Sequence, residues 1–500
     1  MIKLVLEDSQ LDPGPAKDHI DEKSLGLVER AVSALNEEVY SERIVCFSFS
    51  GKRRDSKLPE LIRAYPTAVR VINGSRWIVS TLSFSTSHYV GQASLKIDGE
   101  TVKIIIKPRF AQCIWDHILQ CATRVYLPER LTSSGMSFEG DTEWLLLLMW
   151  RHAFERAMRE CSVPKAYVHL ERNLRFFRGR LNVTRHLREN LTDQSRFYCV
   201  FDKLSFDNTI NRTIRSVYRI LASSNMPAKA CASISEHDDR LASLGVGNGG
   251  VTIQEISAIK YTRMNEAYRP VMALSQIILR GYGAGEFGGD GSGPSYFVDV
   301  SEIWESYLLS VMKRRVEGYS FVSPNDEDSG VWLLNGARRS LRPDFLVYDR
   351  SGRIVAVMDA KYKKYERIGR YSTENNAVSR EDLYQMATYM YRFGDATAPL
   401  AGIFISPFSI DCDEGIIGMG NNSKHFMNVC NLPIMEFNRS CKEPTEEASA
   451  NEMTSDRTHL LEKLNEMEVD FASRLKKCLD LVSARSLGDV LKAPSSQAVP

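Results

Sequence analysis

Apolar residues change their spacing several times along the chain, and each change marks a different kind of structure. From about 40 to 110 they come in short alternating runs: Ile44-Val45-Cys46-Phe47-Ser48-Phe49, then Val69 to Val79 about Asn73-Gly74, then Ala93 to Ile97 and Val102 to Ile106 about Asp98-Gly99. Alternation at period two around Asn-Gly or Asp-Gly predicts hairpins. A helix is predicted ahead of them, over Glu22 to Asn36. From about 111 the spacing becomes that of helices, over Cys113 to Val125, Asp141 to Glu160, Phe206 to Ser224 and Thr252 to Arg280. A glycine-dense stretch up to Pro294 then interrupts the pattern and reads as a domain boundary or mobile loop.

Beyond it, helical and strand spacings alternate. An amphipathic helix over Val298 to Glu317 precedes short apolar strands at Gly330 to Leu334, Asp344 to Tyr348 and Ile354 to Met358. A helix over Ser379 to Phe393, with Glu381 and Asp382 in its first turn, leads to strand candidates at Leu400 to Ile405 and Pro433 to Phe437. An acidic run, Glu443 to Glu452, then leads to a docking helix over Thr458 to Val482 and a polar tail expected to be disordered. The expected fold is multidomain: a β-rich N-terminal domain (1–112), an α-helical middle domain (113–280), the glycine-rich link (281–295), a C-terminal mixed α/β domain (296–440), and an acidic segment, helix and tail (441–500).

Composition narrows the class. With 43% hydrophobic and 25% charged residues among 500, the chain is long enough for about three domains, each with its own core. No apolar run approaches the ~18 residues of a membrane span, and the N-terminus lacks the features of a secretion signal. A cytoplasmic protein with no membrane partner is expected. The ten cysteines form no C-x2-C pair, so neither a zinc ribbon nor a redox motif is indicated. The spacing of Cys412, Cys430, Cys441 and Cys478 is too wide to argue for an iron–sulfur cluster. The nine histidines show no ligand spacing and are read as structural.

The net charge of +1 conceals an uneven distribution, because Arg151 to Ile220 holds fifteen Lys/Arg against seven Asp/Glu. That region either meets phosphate or is the solvated face of long helices. Gly283-x-Gly285-x-x-Gly288 has the form of a dinucleotide fingerprint but follows a helical segment, where the fingerprint needs a strand. There is no G-x-x-x-x-G-K-[ST] motif, so no nucleotide is expected to bind this chain.

The segment from Arg342 to Lys361 carries the chemistry. Two apolar strands meet at Ser351-Gly352; Asp344 begins the first, and Asp359-Ala360-Lys361 closes the second. A hairpin brings both acids and the lysine to one end of a sheet, with Asp359 and Lys361 on the same face. Two carboxylates are hard ligands for Mg²⁺ or Mn²⁺, the Ala360 carbonyl offers a further oxygen, and an ammonium offsets charge on a phosphorane. Glu305 on the preceding helix is a further candidate acid and metal ligand. Gln385 and Tyr389, four apart on the following helix, share a face toward the site.

On these residues the chain resembles the McrC family, the nuclease subunit of modification-dependent restriction systems, with a PD-(D/E)xK restriction-endonuclease-like domain. The likeness runs through Tyr89-Val90-Gly91, Ile104 to Arg109, Phe177-Arg178-Gly179-Arg180-Leu181, Phe201 to Arg212 and Asp299 to Glu305. It ends in the Asp344, Asp359-x-Lys361 core and Asp382-x-Tyr384-Gln385-x-x-x-Tyr389. The resemblance implies a DNA endonuclease subunit whose N-terminal domain docks into an McrB-like AAA+ GTPase hexamer, in a system that defends against foreign or modified DNA. Residues 1–87 and the tail fall outside it.

Arg178, Arg180 and Arg212 either contact DNA or the partner, or pair with Glu171, Asp202 and Asp207. Tyr384 and Tyr389 either stack on a base or pack the helix on the sheet, and Asn211 ties a turn. Two other functional readings stay open: a stand-alone or helicase-coupled RecB-like nuclease, and a non-enzymatic activator of an AAA+ ring.

Overall fold

The computed structural model describes residues 2–10, 24–40, 44–47, 60–67, 70–72, 75–77, 81–123, 139–223, 228–248, 250–282, 295–324, 332–334, 337–362, 378–394, 398–408, 417–419, 422–440 and 450–483. The first part comprises β1 (Ile2–Glu7), α1 (Leu25–Tyr40), β2 (Val45–Phe47), β3 (Ile62–Thr67), β4 (Arg70–Ile72), β5 (Ser75–Trp77), β6 (Thr81–Thr86), β7 (Tyr89–Ile97) and β8 (Glu100–Lys107). Then come α2 (Gln112–Thr123), α3 (Glu139–Glu160), β9 (Ala166–Leu174), β10 (Arg180–Leu181), α4 (Val183–Glu189), β11 (Phe197–Ser205), α5 (Thr209–Ser223), α6 (Ala228–Ser243), α7 (Ile253–Ser257) and α8 (Arg269–Tyr282). The last part holds β12 (Tyr296–Asp299), α9 (Val300–Arg315), β13 (Ser320–Val322), β14 (Trp332–Leu334), β15 (Ala337–Ser340), β16 (Phe345–Tyr348), β17 (Ile354–Ala360), α10 (Arg380–Phe393), β18 (Leu400–Ile405), β19 (Ile417–Met419), β20 (Asn422–Val429), α11 (Ile434–Ser440) and α12 (Ala450–Ser483).

The protein is a mixed α/β assembly of several sheets. Its N-terminal sheet has the order β1-β8-β7-β12-β2, and α1 covers it with Val28, Val32 and Leu35 against Leu4, Ile104 and Phe297. The expected hairpins are present: β7 pairs with β8 about Asp98-Gly99, and β4 with β5. The Asn73-Gly74 turn itself lies outside the described residues, as do Gly283 to Gly288, Cys412, Cys441, Glu443 to Ser449 and the tail after 483. Residues 296–299 do not join the C-terminal sheet; buried completely, they pair antiparallel with β7 and parallel with β2. Their last residue, Asp299, is also the cap of α9, accepting from the Ser301 N–H at 3.0 Å.

The C-terminal sheet has the order β13-β16-β17-β18-β20-β19. β17 and β18 run parallel, which requires a crossover, and α10 packs on both strands. Its approach depends on Gly402: a Cβ there would lie 2.5 Å from Met390 Sδ and 2.8 Å from Met386 Cγ. α9 and α12 cover the other face, so Met358, Ala360, Ile403 and Ile405 share one large core with α2, α3, α5 and α8. Val357, Phe404 and Met390 form a smaller core on the α10 side.

Several readings of the pattern differ from the structure, among them the start of α12, which at Ala450 lies eight residues ahead of the expected Thr458. The middle part is mainly helical but also holds a three-stranded antiparallel sheet, β10-β11-β9. The helical pattern of Thr252 to Arg280 is not one helix: α7 ends at Ser257, Thr262 and Asn265 close a turn, and α8 starts with Pro270 in its first turn. Pro433 to Phe437 is the start of α11, not a strand. α1 lies three to four residues later than predicted. Among the described residues, no helix is long and apolar enough to cross a membrane.

Candidate active site

In the antiparallel pair β16–β17, Phe345 stands opposite Met358, which brings Asp344 level with Asp359. The Ala360 N–H donates to Asp344 Oδ2 at 2.7 Å, tying the first acid to the strand that carries the second. Asp359 follows the α10-facing Val357, and Ala360 points into the opposite core, as strand alternation requires. Lys361 leaves the strand with its N–H on the Ile405 carbonyl at 2.8 Å, and its Nζ lies 2.8 Å from Asp359 Oδ2.

α10 supplies the surroundings of that ammonium. Ser379 caps the helix: the Asp382 N–H donates to Ser379 Oγ at 3.2 Å, and the hydroxyl donates to Asp382 Oδ2 at 2.7 Å. This leaves Asp382 Oδ1 facing Lys361 Nζ at 3.7 Å. One turn on, Lys361 Nζ donates to Gln385 Oε1 at 3.2 Å, Gln385 Nε2 donates to the Tyr389 hydroxyl at 2.8 Å, and that hydroxyl donates to the Arg342 carbonyl at 3.1 Å. The chain of bonds returns to the residue two before Asp344. Tyr389 is buried and packs α10 on the sheet, whereas Tyr384 is exposed.

Charge at this end of the sheet is out of balance. Burial first, and then the neighbouring Asp359 carboxylate, push Asp344 well above the usual carboxylate range, against the pull of the Ala360 N–H and Lys361. Burial opposes the charge on Lys361, but Asp359 outweighs it and raises the ammonium. Among the described residues, Asp344 and Asp359 are held together beside the ammonium of Lys361, a site that a divalent cation would relieve, and their oxygens are the ligands Mg²⁺ and Mn²⁺ accept. Glu305 stands on α9, the helix on the opposite face, and does not come within a mutual 4.8 Å of the two aspartates.

Among the described residues, one set of three ligating groups does converge to within 4.8 Å: His117, Cys121 and Glu468. The i, i+4 spacing of His117 and Cys121 on α2 was its only trace in the sequence. Glu468, however, is already saturated. Its Oε1 accepts from Tyr307 at 3.1 Å and meets His117 Nε2 at 2.7 Å, and its Oε2 accepts twice from Arg315, at 2.7 and 2.8 Å. Arg314 lies 3.4 Å from both Glu468 Oε2 and Cys121 Sγ. Two guanidiniums repel a cation, so the cluster is an ion-pair knot joining α2, α9 and α12. Burial opposes the imidazolium, but the bonds to Cys121 and Glu468 raise His117 to about 9.

The remaining candidates separate. Arg212 is held by Asp207 through two bonds of 2.6 Å, and buried Asn211 donates to the carbonyls of Pro164 and Phe206 at 2.9 and 2.7 Å, tying a turn. Arg178 and Arg180 remain exposed on the β9–β11 sheet. In the sequence Arg109 stands out only as the end of the run Ile104 to Arg109, and nothing singles out Tyr362, 253 positions away. In space the Arg109 Nη2 donates to the Tyr362 carbonyl at 2.6 Å.

A family model described as McrBC 5-methylcytosine restriction system component matches residues 84–404. No curated protein matches the chain. Among solved structures it is similar to a refined half-complex from a tetradecameric assembly of Thermococcus gammatolerans McrB AAA+ hexamers with bound McrC. The identity there is 16%, covering 88% of this chain and 99% of that chain with a TM-score of 0.44. It is also similar to the cryo-EM structure of the Thermococcus gammatolerans McrBC complex, at 16% identity over 62% of this chain and 87% of that chain, with a TM-score of 0.33.

Proposed function

The chain belongs to the McrBC 5-methylcytosine restriction system component family, and on that premise we propose that it is the DNA-cutting subunit of such a system, a PD-(D/E)xK endonuclease driven by an McrB-like AAA+ ring. The observation that carries this reading is the convergence of Asp344, Asp359 and Lys361 at one end of the C-terminal sheet. Asp344 and Asp359 would hold Mg²⁺ or Mn²⁺, which when bound supplies Lewis-acid polarisation of the phosphate and a more acidic water.

The protein's own groups do the rest. Lys361, fixed by Asp359 and Gln385, presents an ammonium where negative charge builds on the phosphate and can orient the attacking water. Gln385, itself held by Tyr389, gives the Lys361 ammonium a second anchor beside Asp359. Hydrolysis of a phosphodiester needs these three functions in one place, whichever sequence or modification the partner ring selects.

The test is cleavage of modified and unmodified plasmid DNA by the purified chain with its partner, Mg²⁺ and nucleotide. Asp359→Ala and Lys361→Ala are expected to abolish cutting while co-purification with the partner and stimulation of its nucleotide hydrolysis persist. Cutting by either variant would remove this site from consideration.

A further inference from the structure

Asp382 stands in the first turn of α10, where the positive end of the helix favours acids, and so does Glu381 beside it. Glu381 is in solvent, whereas Asp382 is only 7% exposed. A carboxylate leaves water at little cost only where charge or hydrogen bonds replace the water, and Ser379 and Lys361 both do so here. The Ser379 hydroxyl donates to Asp382 Oδ2 at 2.7 Å, and Lys361 Nζ lies 3.7 Å from Oδ1.

Both sides of this contact are held in place. Ser379 fixes one carboxylate oxygen, so the other keeps its aim at Lys361. α10 itself is pressed on the sheet where Gly402 leaves room for Met386 and Met390. Lys361 is anchored by its own N–H on the Ile405 carbonyl at 2.8 Å. Between them the ammonium has a choice of anions. It lies 2.8 Å from Asp359 Oδ2 and 3.7 Å from Asp382 Oδ1, with the neutral Gln385 Oε1 at 3.2 Å. The nearer anion, Asp359, is also one of the acids suited to a divalent cation. An ammonium and such a cation repel each other, and in a partly buried site salt screens that repulsion poorly. Lys361 therefore opposes the ion that Asp344 and Asp359 would hold unless its charge can be taken up elsewhere.

We propose that Asp382 is a positioning residue that receives the Lys361 ammonium as Asp359 turns its oxygens to a divalent cation. The inference rests on the reading of Asp344 and Asp359 as metal ligands and gives the lysine a second anion within the same site. The exchange breaks no covalent bond and moves no proton: an ion pair with Asp359 gives way to one with Asp382, beside the same Gln385 oxygen. The lysine stays charged and stays in the site, while Asp359 is released in full.

The experiment titrates the full chain with Mn²⁺, without DNA or nucleotide, and reads free Mn²⁺ by electron paramagnetic resonance. Asp382→Asn keeps an acceptor for Ser379 and is expected to bind Mn²⁺ roughly tenfold more weakly, because Lys361 remains on Asp359. Lys361→Met removes the competing charge and should bind more tightly than wild type. In the Lys361→Met background, Asp382→Asn should then cost little. Ser379→Ala keeps the Asp382 charge but releases its aim, and should lose part of the affinity in the same lysine-dependent way; it carries the cycle if the amide unfolds the protein. Equal losses with and without Lys361 overturn the proposal, since Asp382 would then act as a ligand or as a distant charge. Unchanged affinity in folded Asp382→Asn overturns it as well. Asp359→Ala keeps the two readings apart: Mn²⁺ binding that survives it removes the metal site itself, whereas equal losses in the cycle remove only the part given to Asp382.

Discussion

The guanidinium carbon of Arg109 lies 3.9 Å from the centre of the Tyr362 ring, one residue past Lys361. Arg109 follows β8 of the N-terminal sheet, and its N–H donates to buried Asp8, just beyond β1, at 2.6 Å. Tyr362 also touches Phe110 and Trp304, at 5.6 and 6.5 Å between ring centres, so strand end, N-terminal sheet and α9 meet around one phenol ring.

Arg109→Ala is therefore expected to do two things. A largely desolvated cation–π contact is worth about 2 kcal/mol, so the melting temperature falls. Cleavage, measured where the variant is still folded, falls further, because the carbonyl after Lys361 loses its donor. Arg109→Lys keeps the charge without the planar stack and recovers only part of either loss. Wild-type cleavage by the folded alanine variant would show that Tyr362 needs no such support.

Asp344→Asn is expected to stabilise the metal-free protein while abolishing cleavage. An acid raised by folding costs stability at every pH above its ordinary range, and the amide removes that cost while its oxygen still accepts from Ala360. Thermal unfolding in EDTA at neutral pH should show a higher midpoint than wild type; a lower one contradicts the repulsion between the two acids.

Gln385→Ala leaves Lys361 tethered to Asp359 and Asp382 alone. The cleavage rate should drop on the order of tenfold, equivalent to ~1.4 kcal/mol, with little change in DNA affinity. Tyr389→Phe should show a smaller loss of the same kind, since it frees Gln385 without removing it. Equal losses in affinity and rate would point to substrate contact instead.

The knot at Glu468 makes stability depend on pH. His117 is raised by folding to about 9, so its contribution is fully present below its ordinary pKa near 6.5 and is lost as the pH climbs through about 9. The unfolding free energy from urea titrations should fall across that window, by up to ~3 kcal/mol, and Glu468→Gln should flatten the dependence. A wild-type value constant from pH 6.5 to 9 would contradict the pairing.

Strand β17 and its surroundings were legible because their constraints are local. Alternation gave the faces of Asp359 and Lys361, Ser379 gave the cap of α10, and the run Leu400 to Ile405 is a strand to the residue. The sheet of β9, β10 and β11 was hidden because its signal is weak: β9 alternates half-buried with exposed positions, but none of its residues is fully buried and exposed Tyr167 breaks the apolar pattern. Pro433 to Phe437 failed for the opposite reason: five apolar-rich residues fit a buried strand or a helical turn equally well. Arg109 on Tyr362 and His117 on Glu468 join residues 253 and 351 positions apart, a distance no local spacing rule reaches.

Strand β12 has a consequence for how the molecule is made. It lies between β7 and β2, so among the described residues the N-terminal sheet keeps an open edge at β7, and β2 has no other neighbour, until residues 296–299 arrive. On the ribosome, at ~5–20 residues per second, that is a wait of roughly ten seconds or more after β8 has emerged. The first sheet to be synthesised is thus completed only when α9 begins to emerge, and a fragment ending at 112 should aggregate through the gap that β12 normally fills.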